Sequence, residues 1–196
     1  MKERIRAFVA IELPADIRAE LERVTQEIQN ARVSGVRWVR PEGIHLTLKF
    51  LGNIPGESVG PVSQALGRCA ATRAPFELHL GNLGAFPNPR APRVIWIGLE
   101  GALEALLDLQ RAVEDELEGL EFPRERRDFS PHLTLGRVRE GIPPAQKKRL
   151  GEMIADAHLD IQGQMLVAEL SLMRSTLMPS GAVYARLHSA PLGSST

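Results

Sequence analysis

Hydrophobic residues recur along the chain with two different periods, one typical of strands and one typical of helices. Residues 6–13, RAFVAIEL, are rich in β-branched and aromatic side chains and stop at Pro14, which predicts a strand. Residues 14–32 follow with apolar side chains at intervals of three and four residues, namely Ile17, Leu21, Val24 and Ile28. This spacing predicts an amphipathic helix.

The same two patterns continue to the end of the chain. Further strands are predicted at residues 35–39, 44–52, 76–86, 93–100, 132–138, 159–177 and 182–188, with a turn at 178–181 before the last one. Further helices are predicted at residues 56–73, 102–120 and 143–157. Strands and helices do not alternate regularly as in a nucleotide-binding parallel sheet. The pattern therefore predicts an α+β fold with mainly antiparallel sheets. We expect one domain over residues 1–190 and a frayed tail over residues 191–196.

One tetrapeptide occurs twice. Residues 45–52 read HLTLKFLG and residues 132–138 read HLTLGRV, and each copy lies in a predicted strand that is followed by a predicted helix. The two copies occupy comparable places in the two halves of the chain. This repetition suggests two related lobes.

Strand geometry indicates which side chains of the first copy act together. Alternate residues of a strand share a face, so His45, Thr47 and Lys49 are predicted on one face. The apolar side chains are predicted on the other face, against the core (Leu46, Leu48 and Phe50). In the second copy His132 and Thr134 share a face by the same rule, and Leu133 and Leu135 lie behind them.

Two imidazoles and two hydroxyls suit the chemistry of a phosphate ester if the two strands lie across one groove. Imidazole exchanges protons near neutral pH, and a threonine hydroxyl donates to an anionic oxygen. Zinc binding is the alternative use of two histidines, but neither tetrapeptide contains an Asp or Glu. A single His-x-Thr on a strand is ordinary sheet surface, so the catalytic interpretation requires that the two copies converge.

Composition limits the range of functions. The 196 residues carry a formal net charge of +0, so no overall field attracts the chain to nucleic acid or to an anionic membrane. The lone Cys69 excludes an internal disulfide and is predicted to be a buried apolar residue. The apolar run near the start is short and lacks a cleavage site, and no stretch is long enough to span a bilayer. We therefore expect a cytoplasmic monomer that does not bind membranes.

Both copies resemble the paired His-x-Thr-x motifs of a known superfamily. WVRPEGIHLTLKFLGNI and FSPHLTLGRV are similar to the motifs of the 2H (two-histidine) phosphoesterases, in particular the RNA 2',3'-cyclic phosphodiesterase branch, also described as 2'-5' RNA ligases. The resemblance extends over nearly the whole chain, through RAFVAIELP, LGAFPNPRAPRVIWIGL and LSLMRSTLMPSGAVYARL.

The resemblance implies a bilobal α+β fold with helices outside, a pseudo-twofold axis and an active cleft between the lobes. It implies that His45 is the proton donor, that His132 is the proton acceptor, and that Thr47 and Thr134 hold the phosphate. The implied reaction opens the 2',3'-cyclic phosphate ends of RNA, tRNA fragments among them, to 2'-phosphomonoesters. No metal or cofactor is implied, and the reverse reaction would be 2'-5' RNA ligation. Alternatives that stay open are a small cyclic nucleotide or cyclic ADP-ribose phosphate as substrate, or a non-catalytic RNA or nucleotide binder.

Arg137 matches an arginine that often contacts phosphate in this superfamily. Strict alternation from His132 places Arg137 on the opposite face of the strand, so it reaches the cleft only through a bulge or a long reach. Two aromatic residues near the motifs each have two interpretations. Trp38 is predicted to pack in the core, with base stacking as the alternative, and Phe129 either stacks on a base or supports His132.

Overall fold

The computed structural model describes residues 3–30, 34–179 and 181–193, and it forms nine strands and four α-helices over these ranges. The strands are β1 (Arg4–Glu12), β2 (Val36–Trp38), β3 (His45–Pro55), β4 (Phe76–Phe86), β5 (Val94–Gly101), β6 (His132–Val138), β7 (Gln164–Val167), β8 (Glu169–Met178) and β9 (Gly181–Pro191). The helices are α1 (Ala15–Asn30), α2 (Val59–Ala71), α3 (Leu103–Glu118) and α4 (Pro144–Ala155).

The strands form two sheets in which every pairing is antiparallel. The first sheet has the order β3-β1-β8-β9, and the second has the order β2-β6-β5-β4-β7. In each sheet the strand with the HLTL sequence, β3 or β6, lies beside the first strand of its own half, β1 or β5. The predicted α+β class with two related lobes of antiparallel sheet is confirmed.

Each half of the chain contributes two strands to the sheet of the other half, namely β2 and β4 from the first half and β8 and β9 from the second. β4 follows α2 in the first half, yet it pairs with β5 of the second half. β8 comes late in the second half, yet it pairs with β1 of the first half. The order β3-β1-β8 in one sheet thus corresponds to β6-β5-β4 in the other, which gives the fold its pseudo-twofold symmetry.

One hydrophobic core joins the two sheets and three of the helices. Val9 and Leu46 of the first sheet and Ile97 and Leu133 of the second belong to the same buried cluster, each with 0% of its surface exposed. The apolar side chains of α1 predicted from their spacing lie in this cluster (Ile17, Leu21, Val24 and Ile28). Burial of this apolar surface is the main force that holds the lobes together. The opposite faces of β3 and β6 are left free to line a cleft.

The predicted boundaries differ from the observed ones where short turns precede or interrupt the elements. The predicted helix at 56–73 begins as a 3-10 turn at Gly56–Ser58, and the predicted strand at 159–177 is two strands separated by Ala168. Residues 31 and 32 of the predicted first helix and residue 180 of the predicted turn lie outside the described residues.

The predicted frayed tail is wrong for residues 191–193. Pro191 ends β9, Leu192 is 7% exposed, and its backbone N–H donates to the carbonyl of Ala168 at 2.8 Å. The N–H of Gly193 donates to Ala70 at 2.9 Å. The apolar Leu192 side chain packs in the core, and this burial together with the two hydrogen bonds holds the segment in place. Residues 194–196 lie outside the described residues. Among the helices of the described ranges, none is long and apolar enough to cross a membrane.

Candidate active site

The two HLTL strands meet at one cleft. His45 and Thr47 of β3 and His132 and Thr134 of β6 all line an open cavity of about 1360 Å³, and β3 and β6 contact each other. Both histidines stand at the first position of their strand. The structure therefore brings together the four side chains that the repeated tetrapeptide singled out.

Each histidine ring is anchored in the same way. His45 Nδ1 lies 3.0 Å from the carbonyl oxygen of Gly43, and His132 Nδ1 lies 2.7 Å from that of Ser130. A carbonyl oxygen only accepts, so Nδ1 must carry the proton in both rings. Nε2 is then the nitrogen left to accept or deliver a proton in the cleft. The two halves of the chain thus present the same atom in the same protonation state.

Aromatic rings flank both histidines. Phe8 stacks on His45 with ring centroids 4.6 Å apart, and Tyr184 meets the same imidazole edge-on at 4.9 Å. On the other side of the cleft, Phe86 contacts His132 edge-on at 4.9 Å. These rings fix the orientation of the imidazoles and remove water from them.

The pKa of His45 is lowered to about 4, chiefly because burial disfavours the charged imidazole. The hydrogen bond to Gly43 and the negative charge of Glu12 act in the opposite direction and favour the protonated form. Burial is the stronger effect, so His45 is neutral at pH 7.

The pKa of His132 is also lowered from its ordinary value, again mainly by burial. Its hydrogen bond to Ser130 raises the pKa, whereas the positive charge of Arg137 lowers it further. The two histidines therefore have opposite charged neighbours, a carboxylate near His45 and a guanidinium near His132.

A β-bulge brings Arg137 into the cleft. Along β6, Thr134 is opposite Trp96 and Gly136 is opposite Ile95, so the register shifts by one residue between them. Arg137 consequently lies on the same face as His132 and lines the cleft. The prediction from strict alternation, which put Arg137 on the opposite face, is wrong.

The bulge requires a residue without a side chain at position 136. A Cβ atom on Gly136 would lie only 2.7 Å from Val36 Cγ1 and 2.9 Å from Trp38 Cε3. Trp38 itself is partly buried against the core and is not among the residues that line the cleft, which agrees with the packing interpretation. Phe129 packs against the core and also lines the cleft.

β3 contains the equivalent bulge, which reverses the prediction for two side chains. Thr47 is opposite Ala10, whereas Lys49 is opposite Val9 and Phe50 is opposite Phe8. Phe50 therefore shares the face of His45, 66% exposed, and Lys49 turns inwards with only 5% exposed. The predicted faces of Lys49 and Phe50 are wrong, because alternation changes phase at a bulge.

Lys49 is held by a set of buried partners rather than being free in the cleft. Its ammonium group donates to the Glu114 carboxylate and, at 2.8 Å, to the carbonyl of Pro123. Gln110 and the backbone N–H of Glu125 donate to the same carboxylate. These contacts connect the strand of His45 to α3 and to the loop that leads to His132.

The flanking rings and several arginines of the cleft were not identified from the sequence. Phe8 and Trp96 lie on strands that pair with the HLTL strands, whereas Tyr184 and Phe86 lie on strands farther along the same sheets. Only the tertiary structure reveals that these rings flank the histidines. Four further arginines line the cleft, namely Arg6, Arg37, Arg93 and Arg127. The remaining histidines, His79, His158 and His188, do not line it.

Two further features concern Cys69 and metal-binding groups. Cys69 is buried, as predicted, and burial raises its thiol pKa to about 11. Over the described residues, no three or more His, Cys, Asp or Glu side chains form a group that could hold a metal ion.

Two sheets related by a pseudo-twofold axis, each presenting a His-x-Thr pair to a shared cleft, define a two-histidine phosphoesterase. The family model of the LigT like Phosphoesterases matches the chain twice, at residues 11–96 and 97–184. The protein belongs to this family. The double match also supports the relationship between its two halves.

Curated relatives cover nearly the whole chain. The RNA 2',3'-cyclic phosphodiesterase of Methanothermobacter thermautotrophicus is 36% identical over 181 residues, 92% of this chain and 95% of the relative. The protein of the same name from Thermus thermophilus is 35% identical, over 92% of this chain and 86% of the relative.

Among solved structures, the protein TT0787 of Thermus thermophilus superimposes with a TM-score of 0.80 at 29% identity, covering 98% of this chain and 100% of that one. The complex of E. coli LigT with 3'-AMP gives 0.73 at 26% identity, over 97% and 99% of the two chains.

Proposed function

We propose that this protein hydrolyses RNA 2',3'-cyclic phosphate ends to 2'-phosphomonoesters by acid–base catalysis with His45 and His132. The observation that carries the proposal is the shared cleft in which both imidazoles have Nδ1 anchored and Nε2 available. The names of relatives at 36% and 35% identity support the substrate class.

The proposed reaction transfers one proton at each end of an in-line displacement. His132 Nε2 takes a proton from the attacking water as its oxygen bonds to phosphorus. The bond from phosphorus to the 3' oxygen breaks, and His45 Nε2–H protonates that oxygen. Thr47, Thr134 and Arg137 hold the non-bridging oxygens, whose charge grows in the transition state. The product keeps the phosphate on the 2' oxygen.

Neighbouring charges support this division of roles. Arg137 favours the neutral form of His132, which a base requires, and Glu12 favours the protonated form of His45, which an acid requires. Burial is the main cause of the low pKa of His45, about 4. A phosphodiester brings a negative charge beside the ring, and an adjacent anion raises the pKa of an imidazole. Substrate binding thus helps to protonate the acid.

The proposed mechanism needs no metal ion. It also allows the same cleft to join two RNA ends. Both proton transfers and the charge on phosphate are served by side chains of the cleft, so the mechanism has no step that requires a metal. If an RNA 5'-hydroxyl replaces water, the same two histidines join it to the cyclic phosphate in a 2'-5' linkage.

The test uses a short RNA with a defined 2',3'-cyclic end and excess chelator. We expect a 2'-phosphate product, and about a 10²- to 10⁴-fold loss of rate for His45→Ala or His132→Ala. His79→Ala is the matched control, because His79 is exposed on β4 and lies outside the cleft. A 3'-phosphate product, dependence on metal, or full activity of either cleft variant would contradict the proposal. Measured binding without turnover would favour a non-catalytic phosphate clamp.

A further inference from the structure

Two arginines face each other at the edge of the cleft. Arg37 of β2 is directly opposite Arg137 of β6 in the antiparallel register. Side chains in such a pair have Cβ atoms about 5 Å apart and share a face of the sheet. Both arginines line the cleft, as does Arg93, which comes just before β5.

The backbone fixes Arg93 at the same end of the cleft. Its N–H donates to the carbonyl of Phe86 at 2.7 Å, and its own carbonyl accepts from Val138 at 2.9 Å. Val94, the next residue, is opposite Arg137. Arg37 and Arg137 therefore lie on two adjacent strands, and Arg93 lies immediately before the next strand, β5.

This arrangement is electrostatically unfavourable in the free protein. Like charges directly opposite each other in a sheet destabilise the pair. No ion pair among the described residues involves Arg37, Arg93 or Arg137. Other arginines of the chain, such as Arg124, are paired with carboxylates. A group of unpaired arginines in a cleft of a chain with no net charge indicates an anionic ligand.

The position of Arg37 separates it from the reacting phosphate. Arg137 is close enough to His132 to lower its pKa, and it belongs to the same strand. Arg37 lies one strand farther from His132, on β2 at the sheet edge. The equivalent of Arg137 in the first half is Phe50, which carries no charge, so the arginine pair has no counterpart across the cleft.

We propose that Arg37, with Arg93, forms a second phosphate site that binds the 5'-phosphate of the terminal nucleotide. Arg137 contacts the cyclic phosphate, and Arg37 contacts the next phosphate along the RNA backbone. The inference rests on the proposed function and deepens it. It makes the substrate the end of an oligonucleotide, because a cyclic mononucleoside phosphate lacks the 5'-phosphate that the site binds.

The test compares two ligands that differ by one phosphate and are not turned over. Calorimetry measures the affinities for adenosine 2'-monophosphate and for adenosine 2',5'-bisphosphate. In the unmodified protein we expect the bisphosphate to bind about tenfold more tightly, as suits one charge-assisted arginine–phosphate contact. Arg37→Gln should reduce this ratio to about two or less, and raising the salt concentration should also reduce it.

Arg111→Gln is the matched control, because Arg111 is an exposed arginine of α3 that lies outside the cleft. It should keep the tenfold ratio. Arg93→Gln is the second variant, and it should lower the ratio in the same direction. Equal affinities in the unmodified protein would overturn the inference. An equal loss for both ligands in Arg37→Gln would do so as well, since Arg37 would then act on the shared 2'-phosphate.

Turnover distinguishes this inference from the proposed function. The rates are measured on adenosine 2',3'-cyclic phosphate with and without a 5'-phosphate. Hydrolysis of both at equal kcat/KM would leave the proposed function standing and overturn the second site. A tenfold binding ratio without any hydrolysis would support the second site and contradict the proposed function.

Discussion

Lys49 and Glu114 form an ion pair inside the protein, with 3% and 7% of their side chains exposed. Lys49 lies on the strand of His45, and its second partner, the Pro123 carbonyl, lies in the loop before His132. Lys49 therefore fixes the loop before His132 against the strand that carries His45.

Replacement of Lys49 should destabilise the protein strongly. In Lys49→Met the Glu114 carboxylate stays buried without its cation, and removal of one partner of a buried pair costs about 3–5 kcal/mol. Urea denaturation measures the loss in the free energy of unfolding.

The double variant Lys49→Met/Glu114→Leu tests the cause. It leaves no buried charge, so much of the lost stability should return. Lys148→Met is the control for an exposed pair, since Lys148 and Glu152 are 79% and 59% exposed, and it should change stability little. If Lys49→Met unfolds at the same urea concentration as the unmodified protein, the pair does not contribute as described.

His45 should make stability depend on pH below neutrality. Its folded pKa, about 4, is below the ordinary value of 6.5, so the unfolded chain binds more protons between these values. Stability therefore rises with pH through this window and falls as the solution is acidified, by a total of roughly 3 kcal/mol.

His45→Gln should flatten the stability profile between pH 4 and 6.5, as measured by urea denaturation at several pH values. His79→Gln is the control variant, because His79 is exposed on β4 and lies outside the cleft. An unchanged slope in His45→Gln would show that other groups cause the pH dependence.

Phosphate in the cleft should raise the pKa of His45. An anion beside the ring favours the imidazolium form and opposes the effect of burial. NMR titration of the ring protons, with and without inorganic phosphate, measures the change. We expect an upward shift of about one unit or more. A pKa that stays unchanged in saturating phosphate would argue against His45 as the acid.

Gly136→Ala should distort the bulge that orients Arg137. The new Cβ would lie 2.7 Å from Val36 Cγ1, so strands β2 and β6 must separate. Overpacking of this kind costs about 1–3 kcal/mol. Thermal unfolding measures the loss, and binding of inorganic phosphate should weaken as well.

Gly67→Ala is the control for Gly136→Ala, because it adds the same methyl group where there is space for it. Gly67 lies in α2, and an added Cβ would meet nothing within 4 Å. Alanine at such a helical position should stabilise the protein by about 0.5–1 kcal/mol. If Gly136→Ala behaves like Gly67→Ala, the bulge tolerates a side chain.

The sequence predicted the fold class and brought out the four residues of the HLTL copies, since both depend on local periodicity and repetition. It failed where tertiary structure changes the local rule. Alternation placed Lys49 on the face of His45 and Arg137 on the face opposite His132, and a bulge in each strand reverses both assignments. The flanking rings Phe8 and Tyr184 reach His45 from strands that are distant in sequence, so no local signal marks them.

The exchange of β4 and β8 between the halves has a mechanical consequence. Domains joined by a flexible linker can swing shut over a ligand, but here each lobe contains a strand covalently continuous with the other. The two sheets also share one hydrophobic core, and only Ala168 separates β7 of one sheet from β8 of the other. The spacing between the two imidazoles is therefore set when the chain folds, and a ligand must fit a groove whose width is already fixed.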